Sequence, residues 1–401
     1  MRSNRLAQLF VLRRISRLSS TLLLVAVATV AGCSSAPPPE PAPAPVGDLS
    51  AKGAVEQIAK DFEKQLGGTS AARTIAIDPI RDRASGQQTG VSLRLEKDLA
   101  PALAAVKGIT LLPFDSSGVA KSRYVVTGVV ASGTEADHYT LTVALSDKQS
   151  GLVVAQSAAR FVEAGLDPKP TRFFTESPSL VQDRSSEGYT RTTETPAGRA
   201  ADALYISQVE TSALLADALA AYNAEKWDHA LAAYTAASLR TDGQQLRTFN
   251  GLYLTNVRLG RTTGAEQAFA KIVALGLETN NLAIKLLFKA ASATEFWPGR
   301  DYAGVYPIWI RQLARAMQAS GNCLNVVGHT SRSGSESVND RLSLQRAETV
   351  KRLLETEVRA LAPRLRASGV GYRENIIGTG TDDERDAIDR RVAFKVVECA
   401  R

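Results

Sequence analysis

Cys323-Leu324-Asn325-Val326-Val327-Gly328-His329-Thr330-Ser331 and, a few residues on, Asn339-Asp340-Arg341-Leu342-Ser343-Leu344-Gln345-Arg346-Ala347 decide how the C-terminal part of this chain reads. The first stretch is apolar through Val327, then gives way to a glycine and three polar residues, the pattern of a strand feeding a turn. The second opens a helix. Leu342, Val350, Leu353, Leu354, Val358 and Leu361 recur at helical spacing and supply its buried face. Asn339 is expected as its N-cap. Upstream, Lys285-Leu286-Leu287-Phe288 predicts a strand. Residues 302–320 predict a helix burying Ile310, Leu313, Ala314 and Met317. Downstream, residues 375–380 and 390–397 predict the last strands.

Together these residues resemble the OmpA-like peptidoglycan-binding domain. The resemblance is carried by Gly328-His329-Thr330, Gly334, Asn339, Leu342-Ser343, Arg346-Ala347, Val350, Gly378, Gly380 and Asp389-Arg390-Arg391-Val392, in order. It implies a β-α-β-α-β-β fold and a pocket for the diaminopimelate side chain of the peptidoglycan stem peptide. Such a ligand end carries a carboxylate and an ammonium. An arginine can hold the first through two parallel hydrogen bonds, and an acid can take the second. By the resemblance, Arg346 holds the carboxylate, Asn339 and Thr330 line the site, and Arg391 supports it from the last strand. One position departs from the pattern: the family has Asp after Gly-His-Thr, and here it is Ser331. A charge-assisted hydrogen bond contributes on the order of 1.5–3 kcal/mol, against about 1 for a neutral one. Glu336, Asp340, Asp382 and Asp383 are the acids that could supply the charge instead. His329 is expected to serve the strand end rather than catalysis.

The N-terminus reads as an export signal. Arg2, Arg5, Arg13, Arg14 and Arg17 precede an apolar run from Thr21 to Val30 that is short of the roughly 20 residues a membrane span needs. The run ends in Val30-Ala31-Gly32-Cys33, which resembles the lipobox of bacterial lipoproteins. That resemblance implies removal of residues 1–32 and acylation of Cys33 with diacylglycerol and a third chain such as palmitate, enough for stable anchoring. Ser34 rather than Asp after the cysteine implies transfer to the outer membrane, facing the periplasm. Residues 33–49, rich in proline, predict a stiff tether. Removing those five arginines lowers the formal charge from +7 to +2, so the pI of 9.3 gives no reason to expect nucleic-acid binding. Cys323 and Cys399 remain as an even pair, a disulfide or two thiols, at the start of one strand and the end of another.

Between these ends the chain is expected to be multidomain, α/β and α. Residues 50–165 predict a small α/β domain. It comprises a helix over 50–66, strands at 74–78, 109–112, 124–130, 139–145 and 152–155, and a helix from Gly90 to Leu103. Ile75-Ala76-Ile77-Asp78-Pro79-Ile80-Arg81-Asp82, Tyr124 to Val130 and the Leu145–Gln156 hairpin resemble the α/β domain of envelope lipoproteins such as LpoB and FlgO. Residues 166–206, with Pro168, Pro170, Pro178 and Pro196, predict a linker or long surface loop. Residues 207–280 predict helices. Ala218, Tyr222, Trp227, Ala230, Tyr234 and Ala237 resemble one tetratricopeptide-type repeat, and Leu259-Gly260, Ala265 and Phe269 a second; a plain helical hairpin is the alternative. Residues 281–401 form the OmpA-like domain.

No cofactor, metal or enzymatic activity is expected. His138, His229 and His329 have no ligand spacing, and no nucleophile–base set or acid pair is in a recognisable frame. The expected function is an outer-membrane-anchored periplasmic lipoprotein that grips peptidoglycan and scaffolds a periplasmic or outer-membrane protein partner. The alternative is an assembly or regulatory lipoprotein, acting on a wall synthase or in secretion or motility, whose wall binding is weakened or lost.

Overall fold

A computed structural model describes residues 49–67, 72–180, 182–297 and 305–399. The signal, Cys33 and most of the tether lie outside the described residues. Gly47–Arg401 forms one compact unit.

The N-terminal layer starts with α1 (Ala51–Gln65), capped by the Ser50 hydroxyl, and burying Val55, Ile58, Ala59 and Phe62 along one stripe. Then follow β1 (Arg73–Ile77), the short β2 (Arg81–Asp82), α2 (Gly90–Ala104), β3 (Ile109–Leu112), α3 (Ser116–Lys121), β4 (Tyr124–Ser132), β5 (His138–Asp147) and β6 (Leu152–Val162). The sheet order is β3-β1-β4-β5-β6, with β2 alongside β4. β1 is parallel to β3 and β4, whereas β4, β5 and β6 form an antiparallel meander.

β4 decides what covers this sheet. Its alternate residues Val126 and Val130 face α1 and α2, while Val125 and Val129 face the other way. A strand apolar on both faces needs cover on both. The second cover comes from the segment expected to be a linker. Residues 166–206 instead carry α4 (Arg172–Glu176), α5 (Arg184–Glu194) and the start of α6 (Ala203–Asn223). Tyr189 of α5 and Tyr205 of α6 are buried against Val125 and Val129. The Tyr189 hydroxyl donates to the Gly128 carbonyl (2.9 Å) and accepts from the Gly128 N–H (2.8 Å), fastening the helix to mid-strand backbone.

α6 pairs with α7 (Trp227–Ser238), and α8 (Leu246–Arg258) with α9 (Thr262–Glu278). α8 approaches α7 so closely that a Cβ on Gly251 would lie 2.2 Å from the Tyr234 ring. Phe173, Phe174, Tyr222, Tyr234, Tyr253 and Phe269 fill between the helices. This core runs without a break into the C-terminal layer. Trp309 stacks on Phe269 (centroids 5.1 Å) and donates from its indole N–H to the Tyr253 hydroxyl (3.1 Å).

The C-terminal layer is β7 (Leu286–Leu287), α10 (Tyr306–Ser320), β8 (Cys323–Gly328), α11 (Glu336–Glu357), β9 (Leu365–Gly369) and β10 (Arg391–Val397). This is the expected β-α-β-α-β-β order. The sheet runs β7-β10-β8-β9, with β8 parallel to β9 and antiparallel to β10. The third strand is Leu365–Gly369, not residues 375–380. The latter form a loop whose backbone N–H groups go to aspartates rather than to a neighbouring strand. Ser335, not Asn339, is the residue that precedes α11; Asn339 lies inside the first turn. A Cβ at Gly328 would lie 1.8 Å from the Ser343 carbonyl oxygen, so the end of β8 can meet α11 only as glycine. Cys323 and Cys399 are joined, their Cα atoms 5.2 Å apart.

Candidate functional site

The candidate site lies where β8 ends, beside the N-terminal turns of α11 and the loop before β10. β8 delivers His329, Thr330 and Ser331, all buried. His329 donates its N–H to the Arg391 carbonyl, and Thr330 donates to that of Gly371, which fixes the backbone of the turn. The His329 ring is enclosed beside Arg391 and Lys395. Burial, then those two cations, push its pKa down to about 2, so it stays neutral.

The loop from Ile376 to Asp382 is built by two fully buried carboxylates. Asp389 accepts from the N–H groups of Ile376 (2.5 Å), Ile377 (3.2 Å) and Gly378 (2.7 Å). Asp386 accepts from the N–H groups of Thr379 and Asp382, both at 3.0 Å. Several N–H donors per carboxylate are what lets such acids be buried. Burial still outweighs them at Asp389, whose pKa is raised.

That scaffold presents Asp382. Its carboxylate accepts from the Ser331 hydroxyl (2.5 Å) and pairs with the buried guanidinium of Arg390 (3.0 Å). An acid thus lies against Ser331 from the opposite loop, paired there with Arg390. The other three candidate acids are engaged elsewhere. Glu336 and Asp340 pair with Arg373 (3.0 and 2.8 Å), and Asp383 pairs with Arg385 (2.7 Å).

Arg346 departs from its expected placement. It is wholly buried. Its Nε, Nη1 and Nη2 donate to the carbonyls of Ser292 (2.8 Å), His329 (2.9 Å) and Lys289 (2.9 Å). The Phe288 ring lies 5.4 Å from the guanidinium carbon. Burial, then Arg390, hold its pKa down to about 10, still charged at neutral pH. Arg346 thus ties the turn after β7 to the end of β8, rather than presenting an open fork. Asn339 is similarly engaged, its amide donating to the Ser333 (2.7 Å) and Ser335 (3.2 Å) carbonyls. Arg391 donates to the Glu374 carbonyl (3.1 Å) from beneath. The Thr330 hydroxyl is buried with no protein partner among the described residues.

The structure therefore brings Thr330, Ser331, Arg346 and Asn339 into one neighbourhood, with Arg391 behind it. Asp386, Asp389 and Arg390 carry weight that the sequence reading did not give them, and Asp382, one of its four candidate acids, is the one held at Ser331. A visible signal was the run of acids around the glycines of Gly378-Thr379-Gly380-Thr381-Asp382-Asp383. Among the described residues, no group of His, Cys, Asp or Glu side chains could hold a metal ion.

Residues 307–389 match the OmpA family. No curated protein matches the chain. Similar solved structures include the peptidoglycan-associated lipoprotein from Burkholderia pseudomallei, at 20% identity over 30% of this chain and 94% of that one, with a TM-score of 0.25. The LpoB C-terminal domain from Salmonella enterica aligns at 16% identity over 29% of this chain and 100% of that one, TM-score 0.25. The cell wall anchor of the T6SS from Pseudomonas aeruginosa aligns at 22% identity over 32% and 96%, TM-score 0.24. These scores are low. The assignment of an OmpA-like domain rests on the family match together with the strand and helix order of the C-terminal layer.

Proposed function

We propose that this chain is a cell-envelope lipoprotein of the outer membrane, acylated on Cys33, that binds peptidoglycan non-covalently through its OmpA-like domain. The observation that carries the wall-binding part is the Asp382 carboxylate held against Ser331. In this reading the Asp382 carboxylate, shared between Ser331 and Arg390, takes the ammonium of the stem peptide. The enclosed Thr330 hydroxyl, next to Ser331 in the chain, has no partner among the described residues. Arg346 has two N–H groups left from its five, the other three being held by the Ser292, His329 and Lys289 carbonyls. Asn339 and Arg391 hold the surrounding backbone in place. The lipid end rests on the sequence alone: the basic start, the short apolar run and the Cys33 lipobox.

In this reading the domains divide as a signal at 1–32, a tether at 33–49, the α/β domain, the tetratricopeptide-like helices and the OmpA-like domain at 281–401. The first two layers dock an envelope protein partner, and the chain is a binding protein rather than an enzyme. A second reading, an assembly or regulatory protein with weakened wall binding, is favoured by the closed setting of Arg346.

Retention on purified peptidoglycan separates the two. Wild type is expected to be retained, and Asp382→Asn to bind on the order of tenfold more weakly, the difference between a charged and a neutral acceptor. The double variant Ser331→Asp with Asp382→Asn moves the acid to the family's position and is expected to recover binding. No retention of wild type, with Arg346→Ala indistinguishable from it, would sink the wall-binding reading and leave the regulatory one.

A further inference from the structure

The candidate site holds an acid for an ammonium, but the arginine expected to hold a carboxylate is shut in. Arg346 is wholly buried. Three of its five N–H groups are spent on the Ser292, His329 and Lys289 carbonyls. A ligand carboxylate reaches it only by displacing those carbonyls and being buried itself, and burying an ion away from water is costly. A ligand end that carries both charges therefore needs an open cation at this site.

Arg332 is such a cation. It follows Ser331 in the chain and is exposed. It makes no ion pair and no hydrogen bond with any described residue. It stands against the loop that presents Asp382: a Cβ added to Gly380 would lie 3.9 Å from the Arg332 Cβ. One residue back, the Ser331 hydroxyl donates to Asp382. The two segments therefore meet twice, and the side chain at position 332 starts beside the acid. Asp382 uses its Oδ1 for both Ser331 and Arg390, while its Oδ2 accepts from no described residue. Its charge is already matched by Arg390. Arg332 thus adds a positive charge that no described acid pairs. A ligand bringing only an ammonium meets that charge unfavourably, and one that also brings a carboxylate neutralises it.

We propose that Arg332 selects for a carboxylate at this site, so that its guanidinium and the Asp382 Oδ2 together receive a ligand end bearing both a carboxylate and an ammonium. The proposal rests on the wall-binding reading and changes which arginine meets the stem peptide. A guanidinium suits the task because its planar fork meets a carboxylate through paired hydrogen bonds. An ion pair in the open contributes little, which makes Arg332 a residue of selectivity more than of affinity.

The test measures retention of the full-length protein on purified peptidoglycan. Alongside, the protein is titrated at constant ionic strength with meso-diaminopimelate and with cadaverine, which has the same two amines and lacks the carboxylates. Wild type is expected to be retained and to bind diaminopimelate more tightly than cadaverine. Arg332→Gln is expected to weaken retention and diaminopimelate binding about fivefold. It should leave cadaverine binding no weaker, because a repelling charge has gone; a merely structural defect would weaken both ligands alike. Arg332→Lys keeps the charge and is expected to retain most of the preference. Arg341→Gln removes another exposed arginine without a partner among the described residues, from α11, and is expected to match wild type. Retention of wild type with no preference for diaminopimelate, Arg332→Gln equal to wild type, or Arg341→Gln as weak as Arg332→Gln would each overturn the proposal and leave wall binding standing. Absence of wild-type retention would overturn the wall-binding reading, and the proposal with it.

Discussion

Breaking the bond between Cys323 and Cys399 should be the most damaging single change to the C-terminal layer. The two cysteines are 76 residues apart, so the bridge closes a loop containing α11, β9 and β10. Cys323 starts β8 and pairs across the sheet with Val397, two residues before Cys399. The staple therefore pins the end of a ladder whose inner strand, β10, touches both β7 and β8. In the chain-entropy treatment, opening a loop of this size releases about 15 cal/mol/K, or about 4.5 kcal/mol at 25 °C. The thermal shift then depends on what melts with it. If the roughly 350 residues from Gly47 unfold as one unit, their unfolding entropy makes the loss worth about 6 °C; if the roughly 115 C-terminal residues melt alone, it is worth about 19 °C. The unbroken core from Phe269 to Trp309 argues for the smaller figure. The assay is calorimetry on the chain from Gly47, comparing the oxidised protein, the same protein with dithiothreitol, and Cys323→Ser with Cys399→Ser. Identical midpoints in all three would refute the reasoning. A shift near 19 °C would instead show that the C-terminal layer melts apart from the helices.

Two ionisable groups, the half-buried Glu96 and the buried His329, give opposite pH dependences. Burial raises the Glu96 carboxyl to about 7 from its ordinary 4.5, so its contribution is fully present below pH 4.5 and lost as pH rises through 7. That is worth at most about 3 kcal/mol, and urea midpoints at pH 5 and pH 8 should lose this difference in Glu96→Gln. His329 is a base with a depressed pKa. The unfolded chain therefore takes up its proton first, and stability falls by about 1.4 kcal/mol per pH unit below 6.5. His329→Phe should flatten that limb; an unchanged slope would show that the imidazole is protonated in the folded protein. The two effects cancel between pH 4.5 and 6.5, so only the single variants reveal them. Gly251→Ala should destabilise by about 1–3 kcal/mol through overpacking on Tyr234, although alanine is the better helix former by about 1 kcal/mol. A stabilised Gly251→Ala protein in urea would mean that α7 and α8 can separate at little cost.

What the sequence revealed and what it hid divide along a physical line. Patterns set by nearest neighbours were legible: the apolar stripe of α1, the helix from Gly90, and the four residues of β3 follow from local periodicity. Features set by distant partners were not. Ile376 and Ile377 look like strand residues, yet Asp389 takes their N–H groups and holds them in a loop. Residues 166–206 look like a linker by their prolines, but Phe173, Phe174 and Tyr189 are buried. The need for them was written in β4, where Val125-Val126 and Val129-Val130 leave neither face polar. The candidate site shows the same division. The spacing that leads from Gly328 to Arg346 correctly brings those residues together, because one strand, one turn and one helix determine it. It does not tell that a turn over 289–295 closes on the Arg346 guanidinium, nor that an acid arrives at Ser331 from 51 residues further along the chain. A missing charge in a motif is thus a weaker argument for lost function than it looks. The motif fixes positions along one segment, whereas a carboxylate can reach the same point in space from another direction, as Asp382 does on the loop built by Asp386 and Asp389.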